Sequence, residues 1–292
     1  MNATTTLCTL LASALLACGC GRPVESEPAV ATPSVALSHD RAPLGSPIDI
    51  TYRFVPEPGA SFDEDYRVMV HVVDIDDELM WTDDHDPPVP TTQWKAGTPV
   101  EYTRTVFIPV YPYVGEASIQ VGLYSTRGEK RLALSGNDTG QRAYAVARLQ
   151  LLPQTENIFT LFKDGWHQAE VADTNTSVEW QWTKKDATLA FKNPKKDATF
   201  YLDADNPGNV FHDTQLVTVS INGTVARQFS LAPTERTLQR IPLPAAQLGE
   251  GEMISLQIGV DKTFVPALVP QSTNQDAREL GIRVFHAFVD AR

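Results

Sequence analysis

From about residue 34 to its end the chain alternates apolar and polar side chains with the period of a β-strand. Ile119, Val121 and Leu123 interleave with Ser118, Gln120 and Gly122, which makes one face apolar and the other not. Val68, Val70 and Val72 interleave with Met69, His71 and Val73, so this run reads as a strand that is largely apolar on both faces. The same reading predicts strands over 34–38, 48–54, 67–74, 78–82, 100–109, 117–124, 131–134 and 143–151. It continues over 178–183, 188–192, 199–203, 216–222, 225–231, 237–243, 254–261 and 281–289. Asp74-Ile75-Asp76-Asp77 reads as a hairpin turn, and Asn222-Gly223 is a strong type I′ signal. Long helical periodicity is absent, with at most one turn near 245–248.

The predicted fold class is therefore all-β, with two antiparallel β-sandwiches in sequence. The strand spacing over 34–152 is that of an immunoglobulin-like sandwich, and 153–292 reads as a jelly roll. The boundary falls at Pro153 to Asn157.

The N-terminal segment has a different pattern. Residues 1–17 carry no charged side chain, and an apolar run from Leu7 to Ala17 stops at Cys18-Gly19-Cys20-Gly21. This is a secretory h-region, too short to span a bilayer. Leu15-Leu16-Ala17-Cys18 resembles the lipobox of bacterial lipoproteins. The resemblance implies cleavage before Cys18, acylation of Cys18, and a protein held in the cell envelope by lipid, facing the periplasm or the cell surface. Two or more acyl chains make such a tether durable where one is marginal. Gly19 stands where an aspartate would imply inner-membrane retention in some bacteria, which points to the outer membrane. The alternative is an ordinary signal cut near Ala17 or Gly19. Residues 18–33, polar and proline-containing, read as a flexible tether.

Composition narrows the function classes. The net charge of −12 disfavours nucleic acid and anionic headgroups as partners. Of three cysteines, Cys8 lies in the signal and Cys18 and Cys20 in the tether, so disulfides, zinc–thiolate sites and cysteine nucleophiles have no place in the body. The chain has no G-x-S-x-G elbow, H-E-x-x-H or P-loop. The reading is non-enzymatic, with no cofactor and no metal.

Several residues remain as candidates. Asp74, Asp76, Asp77, Glu78, Asp83, Asp84, His85 and Asp86 form an acidic run that could hold calcium but lacks EF-hand spacing; otherwise it is a solvated hairpin and loop. His71, within an apolar strand, reads as a core histidine. Trp180 and Trp182 are two apart and share one face of a strand. Exposed, they would form a platform for a sugar ring; burial in the core is the commoner fate of such residues. Trp166 faces the same choice. In the long segment 261–281, Lys262, Arg278 and Glu279 could line a polar ligand edge, or Arg278 could instead pair bidentately with Asp261 or Asp276.

Val70-His71-Val72-Val73-Asp74, Asp84-His85, Gln93-Trp94-Lys95-Ala96-Gly97, Val121-Gly122-Leu123-Tyr124 and Lys130-Arg131-Leu132 resemble a β-sandwich module attached to some bacterial membrane glycosyltransferases. Gly165-Trp166, Glu170, Trp180-Gln181-Trp182, 261–266 and 276–281 resemble the galactose-binding-like sandwiches that trail some of those enzymes. The resemblance implies a carbohydrate-handling accessory protein without transferase activity. The expected function is a lipid-anchored envelope protein that binds glycan or envelope components; the alternative is a protein-binding scaffold of an envelope export or assembly complex.

Overall fold

The computed structural model describes residues 27–128, 130–172 and 175–291. The predicted signal, Cys18, Cys20 and most of the tether lie outside the described residues. The rest of the chain is all-β, as the alternation predicts.

The first half contains β1 (Ala31–Leu37), β2 (Arg41–Pro43), β3 (Pro47–Pro56), β4 (Arg67–Val73), β5 (Leu79–Thr82), β6 (Val100–Phe107), β7 (Gly115–Tyr124), β8 (Asn137–Asp138) and β9 (Tyr144–Leu152). They form a three-stranded sheet, β1-β3-β6, and a six-stranded sheet, β2-β9-β7-β4-β5 with β8 added on β9. All pairings are antiparallel except β2 with β9. The inward residues are those the period of two selects: Ile50, Tyr52 and Phe54 from one sheet, and Val68, Val70, Val72, Ile119, Val121 and Leu123 from the other.

The second half contains β10 (Thr160–Phe162), β11 (Glu170–Ala172), β12 (Asn175–Trp182), β13 (Asp186–Lys192), β14 (Ala198–Asp205), β15 (Gln215–Ile221), β16 (Thr224–Leu231), β17 (Arg236–Leu243), a one-turn helix α1 (Ala245–Leu248), β18 (Met253–Val260) and β19 (Arg283–Asp290). Two five-stranded sheets, β10-β13-β18-β15-β16 and β11-β12-β19-β14-β17, enclose one core that includes Leu189, Phe191, Phe200, Leu202, Val219 and Leu256. Asn222 and Gly223 both take positive φ (47° and 83°), which closes the β15–β16 hairpin as a type I′ turn.

Some boundaries differ from the sequence reading. β1 begins at Ala31, inside the stretch read as tether. Residues 131–134 are not a strand: Arg131 makes one isolated bridge to Tyr124. β2, β8, β10 and β11 have no counterpart in the sequence reading, because two or three residues are too few to display a period of two.

The halves touch through specific side chains. Arg240 of β17 donates to both carboxylate oxygens of Asp49 (2.9 and 2.5 Å) and to the Thr105 hydroxyl. Phe107 of β6 stacks on His286 of β19, with centroids 3.8 Å apart and planes at 4°. Asn157 Nδ2 donates to the Leu44 carbonyl at 2.7 Å.

Gly165 is the backbone position with least freedom. Its φ is +83°, and a Cβ there would lie 1.9 Å from the Asp186 carbonyl oxygen. Gly165→Ala should destabilise the second sandwich by roughly 1–3 kcal/mol, read as a lowered Tm in thermal unfolding.

Candidate functional site

The sheet β11-β12-β19-β14-β17 turns Phe200, Leu202, Ala204 and Val284 into the core. The alternate residues therefore face outward. The strand register sets Trp182 beside Arg283, Arg283 beside Asp205, and Asp205 beside Arg236, one row across four strands. A β-bulge between Asp203 and Ala204 places Asp203 opposite His286 and Ala204 opposite Val284. Phe285 is the extra residue, which lets Phe285 and His286 share the outer face.

Charge on this face is fully paired. Asp205 is buried and accepts Arg283 Nε at 2.9 Å and Nη2 at 2.5 Å. Asp203, also buried, accepts Arg236 Nε at 2.8 Å and Nη2 at 2.5 Å, and His286 Nδ1 at 3.0 Å. Burial pushes the Asp203 carboxyl up, but its bonds from Arg236 and His286 outweigh this and hold it low. Asp205 has one cationic partner and the Asp203 charge nearby, so burial wins and its carboxyl is raised. The arginines so held lie over aromatic rings. Arg236 is 3.8 Å from the Phe285 centroid, and Arg283 is 5.2 Å from Trp180, 5.6 Å from Phe285 and 5.9 Å from Trp182.

At the Trp182 end the face opens into a cleft of about 640 Å³. Trp182 and Phe264 form an aromatic wall, edge to face at 5.8 Å, and Phe211 continues it at 5.8 Å from Phe264. Beside it runs a chain of charged hydrogen bonds. Trp182 Nε1 donates to Glu170 (3.3 Å), Arg278 Nη2 reaches Glu170 (2.8 Å), and Arg278 Nε and Nη2 donate to Asp276 (3.0 and 2.6 Å). Asn206 also lines the cleft; it is buried, donates to the carbonyls of Asp213 and Leu231, and its Oδ1 has no hydrogen-bond partner.

Of the candidate ligand residues read from the sequence, Trp182 and Arg278 line this cleft, together with Glu170 and Asp276, which the sequence also singles out. Trp180 lies outside it, packed against Arg283 and Phe285, with its Nε1 buried and unpartnered. Neither indole is a core residue: both are only partly buried, and β12 contributes nothing to the core cluster among the described residues. Trp166 is elsewhere: it packs against the core, meets Phe162 edge-on and donates to the Thr188 carbonyl. Lys262 is engaged with Asp213 (2.6 Å) and the Thr214 carbonyl (2.7 Å). The Glu279 carboxylate accepts from the Thr263 hydroxyl at 2.9 Å. Arg278 takes Asp276, not Asp261, as its bidentate partner; Asp261 accepts the Leu216 N–H.

The acidic run of the first half is structural. Asp74 accepts the N–H groups of Asp76 and Glu78 across the β4–β5 turn, and Asp83 clamps Arg104. Among the described residues no group of three or more His, Cys, Asp or Glu could hold a metal ion. His71 is not a core histidine: it stands half-buried on the outer face of β4.

No family model and no curated protein matches the chain. Among solved structures it is similar to exo-β-1,3-galactanase from Phanerochaete chrysosporium (TM-score 0.30, 10% identity, 89% of this chain, 57% of that one). It is also similar to β-glucuronidase from Bacteroides uniformis (0.29, 11%, 90% and 30%). A third likeness is to the CBM51-2 and INT domains of Clostridium perfringens ZmpB (0.26, 6%, 62% and 38%). The chain thus spans between 30% and 57% of the length of these structures. Likeness at this level carries no functional argument, and none of the three bears on the resemblance to glycosyltransferase-associated modules.

The Asp276–Arg278 pair has a pH signature. Hydrogen bonds from the Arg278 side chain and backbone hold the Asp276 carboxyl below the usual range. A depressed carboxyl contributes stability that is complete above its ordinary value of about 3.9 and is lost as pH falls through the folded value. Asp276→Asn should therefore lower Tm at neutral pH by roughly 2–4 °C, about 1 kcal/mol, with the deficit shrinking below about pH 3. Paired thermal melts at the two pH values check this.

Proposed function

We propose that this is a non-enzymatic, lipid-anchored envelope protein whose second sandwich binds glycan in the cleft beside Trp182. The observation that carries the reading is the pairing of an aromatic wall, Trp182 and Phe264, with a fixed row of hydrogen-bonding groups, Glu170, Arg278 and Asp276. A pyranose ring has an apolar C–H face and a polar edge, and such a lining offers one surface for each. Arg278 holds both carboxylates, which fixes them in place as hydrogen-bond acceptors. A general acid needs its carboxyl raised toward the working pH, and that of Asp276 is lowered.

Calorimetric titration of the mature protein against a panel of envelope polysaccharides tests the glycan reading. Wild type should bind at least one, and Trp182→Ala should weaken that binding by roughly tenfold or more, about 1.4 kcal/mol. No binding by wild type, or equal binding by the variant, overturns it.

The anchor is a separate claim, motivated by the lipobox-like Leu15-Leu16-Ala17-Cys18. The wild-type protein expressed in a bacterial host should sediment with membranes and take up radiolabelled fatty acid. Cys18→Ser should do neither; a variant that still sediments and labels shows that Cys18 is not the lipid site.

A further inference from the structure

A cavity of about 1100 Å³ is lined only by residues of the first half. Its floor is the outer face of β4, where Arg67, Met69 and His71 alternate with the core residues Val68, Val70 and Val72. A wall is built from backbone at Gln141 and Arg142, two successive non-glycine residues with positive φ (53° and 58°). They bring the Arg142 carbonyl over Gly122, where a Cβ would meet it at 2.9 Å.

The charge lining this cavity does not balance. Four cations, Arg67, Lys130, Arg131 and Arg142, face it with two carboxylates, Glu27 and Asp84. Glu27 is taken by Arg142 at 2.6 Å. Asp84 accepts the Val70 N–H at 2.8 Å. Arg67 reaches outward to Asp86, yet its buried Nε lies out of hydrogen-bond line. Arg131 donates to the neutral Gln141 carbonyl at 2.9 Å. Among the described residues no carboxylate lies within 4.0 Å of Arg131 or Lys130. Arg142 and Arg67 thus have carboxylates at contact, whereas Arg131 and Lys130, adjacent in the chain and lining the same cavity, do not, and an oxyanion between them would offset their mutual repulsion.

We propose that this cavity is a second ligand site, distinct from the cleft at Trp182, which takes the carboxylate or phosphate group of a sugar-sized molecule between Arg131 and Lys130. The volume suits one or two sugar rings, Tyr124 supplies apolar contact, and an arginine presents a fork that matches either oxyanion. His71 on the floor is a built-in reporter. Burial pushes its imidazole down, Asp84 pulls it up and Arg131 pushes it down further, so it is neutral at neutral pH and sensitive to an incoming negative charge.

The test uses the mature protein titrated with glucuronate, glucose 6-phosphate and glucose, followed by calorimetry and by the His71 ring resonances. One or both anions should bind with a Kd of about 1 mM or tighter, shift His71, and weaken as salt is added, while glucose does neither. Binding of the uronate alone identifies a carboxylate site, binding of the phosphate ester alone a phosphate site; either supports the proposal. The Lys130→Gln/Arg131→Gln variant should lose at least tenfold in affinity, Arg131→Lys should retain most of it, and Trp182→Ala should bind the anions as wild type does. No binding of either anion, equal binding of glucose, or undiminished binding by a folded double glutamine variant overturns the proposal.

Discussion

Two buried carboxylates on one strand, Asp203 and Asp205, organise the outer face of the second sandwich. Each costs several kcal/mol to bury unless it is paired with good geometry, and each meets an arginine through two parallel hydrogen bonds. That pairing fixes the guanidinium planes. Arg283, once fixed, lies against both Trp180 and Trp182. Asp203 also holds His286, which is the ring that stacks on Phe107 of the first half. The indole wall of the cleft and the junction between the halves therefore depend on the same pair of charges.

The bulge beside Asp203 is what lets one strand serve both ends. Without the extra residue, Phe285 and His286 would point to opposite faces of β19. With it, Phe285 covers the arginines on one side while His286 reaches across to the first half. The core does not lose by this, because Val284 and Val289 keep their inward positions on either side of the bulge.

How much of this was legible in the sequence follows from the range of each interaction. Long strands such as β4 and β7 declare themselves through several periods of alternation within one segment. The alternation predicts a strand end at residue 203, whereas β14 runs to Asp205, because aspartates look like turn residues when their partners are distant in sequence. Those partners, Arg236 and Arg283, are 33 and 78 residues away. The Arg278–Asp276 pair was visible as an alternative because its members are two residues apart. Trp182 drew attention by residue type, but its neighbour Glu170, twelve residues earlier, and Asn206 could be placed in the cleft only by the sheet register. The position of His71 differs from expectation for a related reason: apolar residues on both sides imply a core strand, whereas Met69 is buried on the outer face.

The chain uses arginine in two physically different ways, and the difference separates the two candidate sites. On the outer face of the second sandwich the guanidiniums of Arg236 and Arg283 are each neutralised at contact distance by a buried carboxylate, so they act as flat, polarisable plates for aromatic rings and project little field. In the first-half cavity Arg131 and Lys130 face the same open space with no described carboxylate at contact. The acidic excess elsewhere on the chain does not cancel them, because charges more than a Debye length away, about 8–10 Å at ordinary ionic strength, are largely screened. A neutral, hydroxyl-rich ligand suits the first arrangement, where orientation and stacking decide binding. An anion suits the second, where the local potential does.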